Sequence, residues 1–253
     1  MASSRAAQPR HIPMLFDSNM VNAIRLGNKT QTRRLVTYRG YDCLKQKEGN
    51  LFVPADAVIV GGENAPVVVD DKPIAIFETD GAVIHATYPA QEGDIIDVRE
   101  AWRIEHLSIA RGIATIEYMA DSFVQEVHFR PERAELFARH QKYNGWRPSI
   151  FLPAEAVRFH LLVEDCKPQK LLSLSDSEIR AEGICEWSKD GKLQKYAPAD
   201  MEGDYPCVPW QDCPRTLQDA MELVWNETIT EEALPHQGYK ANPWVWAYKF
   251  RKQ

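Results

Sequence analysis

The stretch SNMVNAIRLGNKTQTRRLVT, Ser18 to Thr37, passes from a helical pattern to a strand pattern, and the rest of the chain repeats these two patterns in separate blocks. Met20, Val21, Ala23 and Ile24 recur on one side of a helix, Ser18 or Asn19 offers the N-cap oxygen, and Gly27 supplies the stop. From Thr30 to Thr37 the chain is rich in Thr and Val with polar alternation, which predicts a strand entering a sheet. Gly27-Asn28-Lys29-Thr30-Gln31-Thr32-Arg33-Arg34 therefore lies where a helix gives way to a strand, a place where a backbone turn presents side chains into a cleft. In a regular strand Lys29 and Thr32 point to opposite faces, because their separation is odd. Joint action by the two requires a turn or bulge between them.

Further strands are predicted at Asp94–Arg99, Ile113–Met119, Phe123–Phe129, Arg158–Glu164 and, at the end, Trp244–Phe250. Short β-branched runs at 57–60, 66–69 and 74–77, punctuated by Gly61, Gly62, Pro66 and Pro73, read as small strands inserted over 37–88. Helices are predicted over 131–140 and from about Thr216, where Leu217, Ala220, Met221, Val224 and Trp225 recur at helical spacing. Ser175-Asp176-Ser177-Glu178 is a capping box, so a third helix runs from there to Ala181 or Glu182 and stops at Gly183. Residues 186–213 carry Pro198, Pro206 and Pro209 and read as a long loop or second insertion. Strands segregated from helices give an α+β class, with the strands expected to curl into a small mixed barrel. Residues 1–12 read as a loose tail and 13–253 as a single domain carrying the two insertions.

Of the 253 residues, 44% are hydrophobic and 26% charged, which is globular composition and excludes a mainly disordered chain. No apolar run reaches the roughly 20 residues of a membrane span, and the first ten residues lack a secretory core, so a cytoplasmic protein without membrane contact is expected. Cys43, Cys166, Cys185, Cys207 and Cys213 are scattered without zinc-finger spacing and read as reduced thiols, a metal site on Cys207 and Cys213 being the weaker alternative, so no metal or cofactor is expected. A net charge of −6 excludes a generic polyanion binder. Yet residues 18–41 contain no acid and hold Arg25, Lys29, Arg33, Arg34 and Arg39, which on charge alone is a solvated basic face.

The Gly27-x-Lys29 motif with Arg34, followed by the Gly93-Asp94 turn, resembles the signature of the ASCH domain, a member of the PUA-like superfamily. The blocks 93–102 (GDIIDVREAW), 146–153 (WRPSIFLP), 174–184 (LSDSEIRAEGI) and 242–251 (NPWVWAYKFR) resemble blocks of longer ASCH-like proteins, many encoded by phages and prophages. Regions 37–88 and 186–213 lie outside the resemblance. It implies a PUA-like barrel and, from a short bacterial relative that deacetylates N4-acetylcytidine, an amidohydrolase acting on N4-acylated cytosines or cytidines. The family pattern of a Lys, a Thr three residues later and a Glu on a downstream helix falls on Lys29, Thr32 and Glu182.

Two versions of the chemistry follow. Thr32 attacks the acyl carbon after Lys29 takes its proton, with Glu182 protonating the leaving nitrogen. Alternatively Glu182 activates a water while protonated Lys29 and Thr32 stabilise the oxyanion. A glutamate beside Lys29 raises the lysine pKa and works against the first version, whereas burial and Arg33 and Arg34 lower it. Arg33, Arg34, Glu100, Trp102 and Tyr118 are candidate substrate-binding residues, with ordinary packing the competing reading for Trp102 and Tyr118. The expected partner is a small nucleoside or nucleobase; a PUA-like RNA-binding module making local contacts is the alternative, and a nuclease a weaker third, since no carboxylate cluster for a metal is visible in the sequence.

Overall fold

The protein is described by a computed structural model covering residues 8–42, 47–61, 66–69, 72–143 and 145–253. Cys43, Gly62 and the first seven residues of the expected tail lie outside the described residues. In chain order the elements begin with β1 (His11–Leu15), α1 (Ser18–Arg25) and β2 (Gln31–Leu35). The first insertion supplies β3 (Thr37–Asp42), β4 (Lys47–Phe52), β5 (Val58–Ile59), β6 (Val67–Val69), β7 (Lys72–Thr79) and β8 (Ala82–Thr87). Then come β9 (Ile95–Arg99), β10 (Trp102–Ser108), β11 (Ile113–Tyr118), β12 (Val124–His128), α2 (Ala134–Gln141) and β13 (His160–Lys170). The last part contains α3 (Asp176–Ala181), β14 (Ile184–Ser188), β15 (Gln194–Pro198), α4 (Leu217–Asn226), α5 (Leu234–Gln237) and β16 (Trp244–Lys252).

This is an α+β protein, mostly sheet. Its central sheet has the order β1-β9-β13-β16-β2, with β1 parallel to β9 and the other pairs antiparallel. The expected barrel does not close among the described residues. β1 and β2 are the two edges, and α1, which joins them in sequence, lays Val21 and Ile24 into the core instead of leaving room for direct pairing. The aromatic alternation of β16 explains where that core sits. Trp244, Trp246, Tyr248 and Phe250 share one face and pack with Met14, Phe16, Ile96, Val98, Leu161 and Val163.

The insertion over 37–88 is part of this core rather than an appendage. Phe77 meets Trp244 edge-on with ring centroids 5.0 Å apart, Tyr88 meets Trp246 at 4.6 Å, and the Trp244 indole N–H donates to the Ala57 carbonyl at 2.8 Å. Two tryptophans bury too much apolar surface to be left facing water, and the sheet formed by β5, β6, β7 and β8 covers them. A second core lies between the β10-β11-β12 sheet and α2, centred on Trp102, Ile116, Tyr118 and Phe137. A third joins α3, α4 and the opposite face of β16 through Ile179, Met221, Trp225 and Val245.

Several local expectations need correction. The helix N-cap is Asp17, whose side chain accepts from the Met20 N–H at 2.8 Å, in place of Ser18 or Asn19. The tail ends earlier than residue 12, because His11 and Ile12 already belong to β1, whose parallel pairing with β9 no local pattern announces. Residues 186–213 are not wholly loop: β14 and β15 form a hairpin there. β10 was hidden by its polar sequence, and its pairing with β11 over one edge holds it in place. The capping box at Ser175 is present, with the serine hydroxyl accepting from the Glu178 N–H and Glu178 accepting from the Ser175 N–H.

Candidate active site

The end of α1 and the end of α3 meet at Gly183. This residue has φ of +100°, and a Cβ there would stand 2.7 Å from the Ala23 Cβ, so both its backbone angle and the close approach require glycine. The contact threads the chain after Gly27 beside α3. The amides of Asn28 and Lys29 donate to the Ala23 carbonyl, the Thr30 amide donates to the Ala181 carbonyl at 2.9 Å, and Lys29 forms an isolated antiparallel bridge with Glu182. Lys29 thus precedes β2 and is released from its alternation, which is the turn that joint action with Thr32 requires.

Lys29, 3% exposed, forms an ion pair through Nζ with Glu182 Oε2 and also donates to the Glu182 main-chain carbonyl at 3.0 Å. The other Glu182 oxygen, Oε1, accepts from Arg33 Nη1 at 3.0 Å. Arg33 Nη2 in turn donates to Glu178 Oε1 at 3.2 Å, and Gln169 on β13 donates to the same Glu178 oxygen at 3.1 Å. The basic segment is therefore not a solvated face: Lys29 and Arg33 are buried against carboxylates of α3 and its C-cap. Burial pulls the Lys29 pKa below its ordinary value; Glu182 opposes this by charge and hydrogen bond, and Arg34 and Arg33 add to it by repulsion.

Thr32, 1% exposed, pairs directly with Tyr248, which pairs in turn with Cys166, so the three side chains form a row on the core face of the sheet. Arg33 points to the other face, toward α3. Arg34 returns to the side of Thr32, where its guanidinium stacks over Phe16 at 4.9 Å and donates to the Leu15 carbonyl at 2.5 Å. Its Nε is buried without a hydrogen-bond partner among the described residues, and burial draws its pKa down against the pull of Glu182, Tyr248 and Asp17. No hydrogen bond joins Thr32 to Lys29 or Glu182 among the described residues.

Beside Glu182 a cavity of about 50 Å³ opens between α1, β15 and α4, lined among others by Asp17, Met20, Tyr196, Leu223 and Glu227. It has room for a few waters.

The remaining sequence candidates belong to another cluster. Glu100 is bound at both oxygens by Arg158, at 2.7 and 2.8 Å, and Arg158 also holds Asp121. Burial pushes the Glu100 pKa upward, and Arg158 opposes that shift. Tyr118 donates to the Ala156 carbonyl at 2.7 Å and lies under the Arg158 guanidinium, while Trp102 is fully buried in the second core. Neither hydrogen bonds nor ion pairs connect Glu100, Trp102 or Tyr118 to Lys29 and Glu182 among the described residues. The residues that sequence reasoning missed at the site are Glu178 and Gln169, which hold Arg33; Glu178 was visible only as the capping-box carboxylate.

Cys166, Cys185, Cys207 and Cys213 are unpaired thiols, and no helix among the described residues is long and apolar enough to cross a membrane. Comparison of this chain with protein-family models, with curated proteins and with solved structures finds no match in any of the three.

Proposed function

We propose that the protein is an amidohydrolase of the PUA-like, ASCH type that cleaves the N4-acyl amide of an acylated cytosine or cytidine. The observation that carries this reading is the buried contact of Lys29 with Glu182, two residues 153 positions apart, of which Glu182 lines a cavity. A lysine hidden from water with its proton weakened by burial is costly to maintain as scaffold, and such groups collect where proton transfer is needed.

The geometry favours the version in which Glu182 activates a water. Glu182 accepts hydrogen bonds at both oxygens, from Lys29 and Arg33, an arrangement in which it offers no hydrogen to a leaving nitrogen at the outset. Glu182 removes a proton from water as its oxygen bonds to the acyl carbon, and the carbonyl electrons move onto oxygen. Lys29, as ammonium, stabilises that oxyanion. Collapse breaks the C–N4 bond, the proton on Glu182 passes to N4, and cytosine or its nucleoside leaves together with a carboxylic acid. Thr32 stands on the core face of β2 beside Tyr248, away from the cavity, and its part is to support the strand that carries Arg33 rather than to form an ester. The cavity is smaller than a nucleoside, so binding requires its walls to open.

The test is the ultraviolet change of N4-acetylcytidine incubated with the protein and with Lys29→Met, Glu182→Gln and Thr32→Ala. Conversion by the parent protein, lost in the first two and weakened in the third, supports the reading. No conversion across several acyl groups sinks it and transfers the site to the alternative of a PUA-like nucleic-acid binding module, whose affinity would fall steeply with salt.

A further inference from the structure

A second cluster of chemistry-bearing side chains lies on the opposite face of the central sheet from its core. Ile96, Val98, Leu161 and Val163 face the core, so the alternate residues Asp97 on β9 and His160 on β13 face outward. His160 stands directly across from Asp97 in the antiparallel register, and His11 of β1 stands one pair away on the same face, its own register partner being Ile95. The ring nitrogens His11 Nδ1 and His160 Nδ1 both approach the single oxygen Asp97 Oδ1, at 2.9 and 2.8 Å. The two rings meet edge to face with centroids 6.0 Å apart.

Asp97 is nearly covered, its side chain 10% exposed, and the two imidazoles are its only salt-bridge partners among the described residues. An imidazole carries a full positive charge only when protonated, so the carboxylate has no permanent cation opposite it. Arg10, next to His11 in sequence, is engaged with Asp94, donating from Nε to Oδ1 at 3.1 Å, and Arg99, two residues along β9 from Asp97, donates to the Leu152 carbonyl. The three ligand atoms lie within 4.8 Å of one another. Metal–nitrogen and metal–oxygen bonds of about 2.1 Å place neighbouring ligands about 3.0 Å apart at a right angle and about 3.4 Å apart in a tetrahedron. The observed Nδ1 to Oδ1 separations match the right-angled edge.

We propose that His11, Asp97 and His160 form a binding site for one divalent first-row transition-metal ion, with each imidazole next to the carboxylate in its coordination sphere and water in the remaining positions. Two nitrogen donors and one oxygen select zinc, nickel, cobalt or ferrous iron over calcium and magnesium, which take oxygen ligands. The exposure of the His11 and His160 side chains, 55% and 40%, leaves the outer positions to solvent. On binding, a neutral ring moves its proton from Nδ1 to the far nitrogen Nε2, so the ring keeps its charge and the metal takes the Nδ1 lone pair. Because the ligands come from three adjacent strands, the ion ties the edge strand β1 to β9 and β13.

The site is tested by calorimetric titration of Zn²⁺, and separately Mg²⁺, into the reduced full chain freed of any affinity tag. The chain is compared with His11→Gln, His160→Gln and Asp97→Asn. One saturable Zn²⁺ per chain is expected, with no heat from Mg²⁺, a zinc-dependent rise in melting temperature, and affinity reduced by at least about 10- to 100-fold in each variant. Both histidine rings are exposed, so His11→Gln and His160→Gln report on binding even where Asp97→Asn misfolds; their metal-free melting curves check the fold. Absence of saturable Zn²⁺ binding by the parent chain overturns the proposal. So does undiminished binding by both histidine variants, which would assign the ion to thiols or other adventitious groups.

Discussion

Lys29 and Glu182 meet twice, once through an isolated backbone bridge and once through a buried ion pair, and Arg33 closes the group from β2. The backbone bridge fixes where the side chains start, so the ion pair does not depend on two long side chains finding each other. A buried carboxylate between two cations is strongly destabilising to break from one side, because the partners stay behind without compensation.

Glu182→Gln is therefore expected to lower stability by about 3–5 kcal/mol, and the double variant Lys29→Met with Glu182→Gln to recover a large part of that loss. Urea denaturation of the three proteins measures it. A double variant less stable than Glu182→Gln alone would show that Lys29 is held by something other than this carboxylate.

The pH dependence of hydrolysis separates the two versions of the chemistry. Burial holds the Lys29 pKa below its usual 10.5. If Lys29 acts as ammonium, kcat/KM falls as pH rises through that lowered value; if it acts as the neutral base, kcat/KM rises through it. The first is expected. A limb that rises through that value in the parent protein would restore Thr32 as the nucleophile.

Asp94 links the strand start at β9 to the residue before β1. Burial pushes its pKa up, but the Arg10 side chain and the backbone amides of Gln91 and Arg10 outweigh burial, and the net shift is downward. A carboxylate depressed in the folded state stabilises above its unfolded pKa, and that contribution disappears as pH falls through the folded value. Asp94→Asn should cost roughly 1–2 kcal/mol at pH 7, the half-exposed Arg10 keeping the figure low, and the cost should shrink below about pH 4. Equal losses at pH 7 and pH 3 would contradict the assignment.

Gly183→Ala combines a left-handed backbone with a collision against Ala23. The expected loss is about 2–3 kcal/mol, with hydrolysis reduced because Glu182 is the adjacent residue. Thermal melting checks the first part, and a variant as stable as its parent would mean that α1 and α3 separate easily.

Tyr118→Phe removes one hydrogen bond to the Ala156 carbonyl and should cost about 1 kcal/mol while leaving hydrolysis unchanged. A large fall in kcat/KM with normal stability would return Tyr118 to the substrate pocket.

Most of the element positions were legible in the sequence because they depend on local patterns. The α1 periodicity with its Gly27 stop, the capping box at Ser175, the α4 stripe and the aromatic alternation of β16 each report a preference of a few neighbouring residues. β1, β10 and the β14–β15 hairpin were missed or read as loop because their pairing partners, not their composition, hold them. The expected barrel rested on the set of strands and on the family resemblance, whereas closure depends on which edges pair, and here α1 and the first insertion fill the space instead.

By itself the sequence determined the α+β class, the switch from helix to strand around Lys29, and Lys29, Thr32 and Glu182 as candidates through resemblance. Only the tertiary structure decided that Lys29 leaves the alternation of β2, that Arg33 is committed to Glu178 and Glu182, that Glu100 belongs to Arg158, and that His11, Asp97 and His160 share one sheet face. The reason is physical. Helical and strand periodicities are carried by residues within a few positions of each other, whereas an ion pair or a ligand set across 60 to 150 residues exists only after strand order and register have brought distant side chains to hydrogen-bond distance.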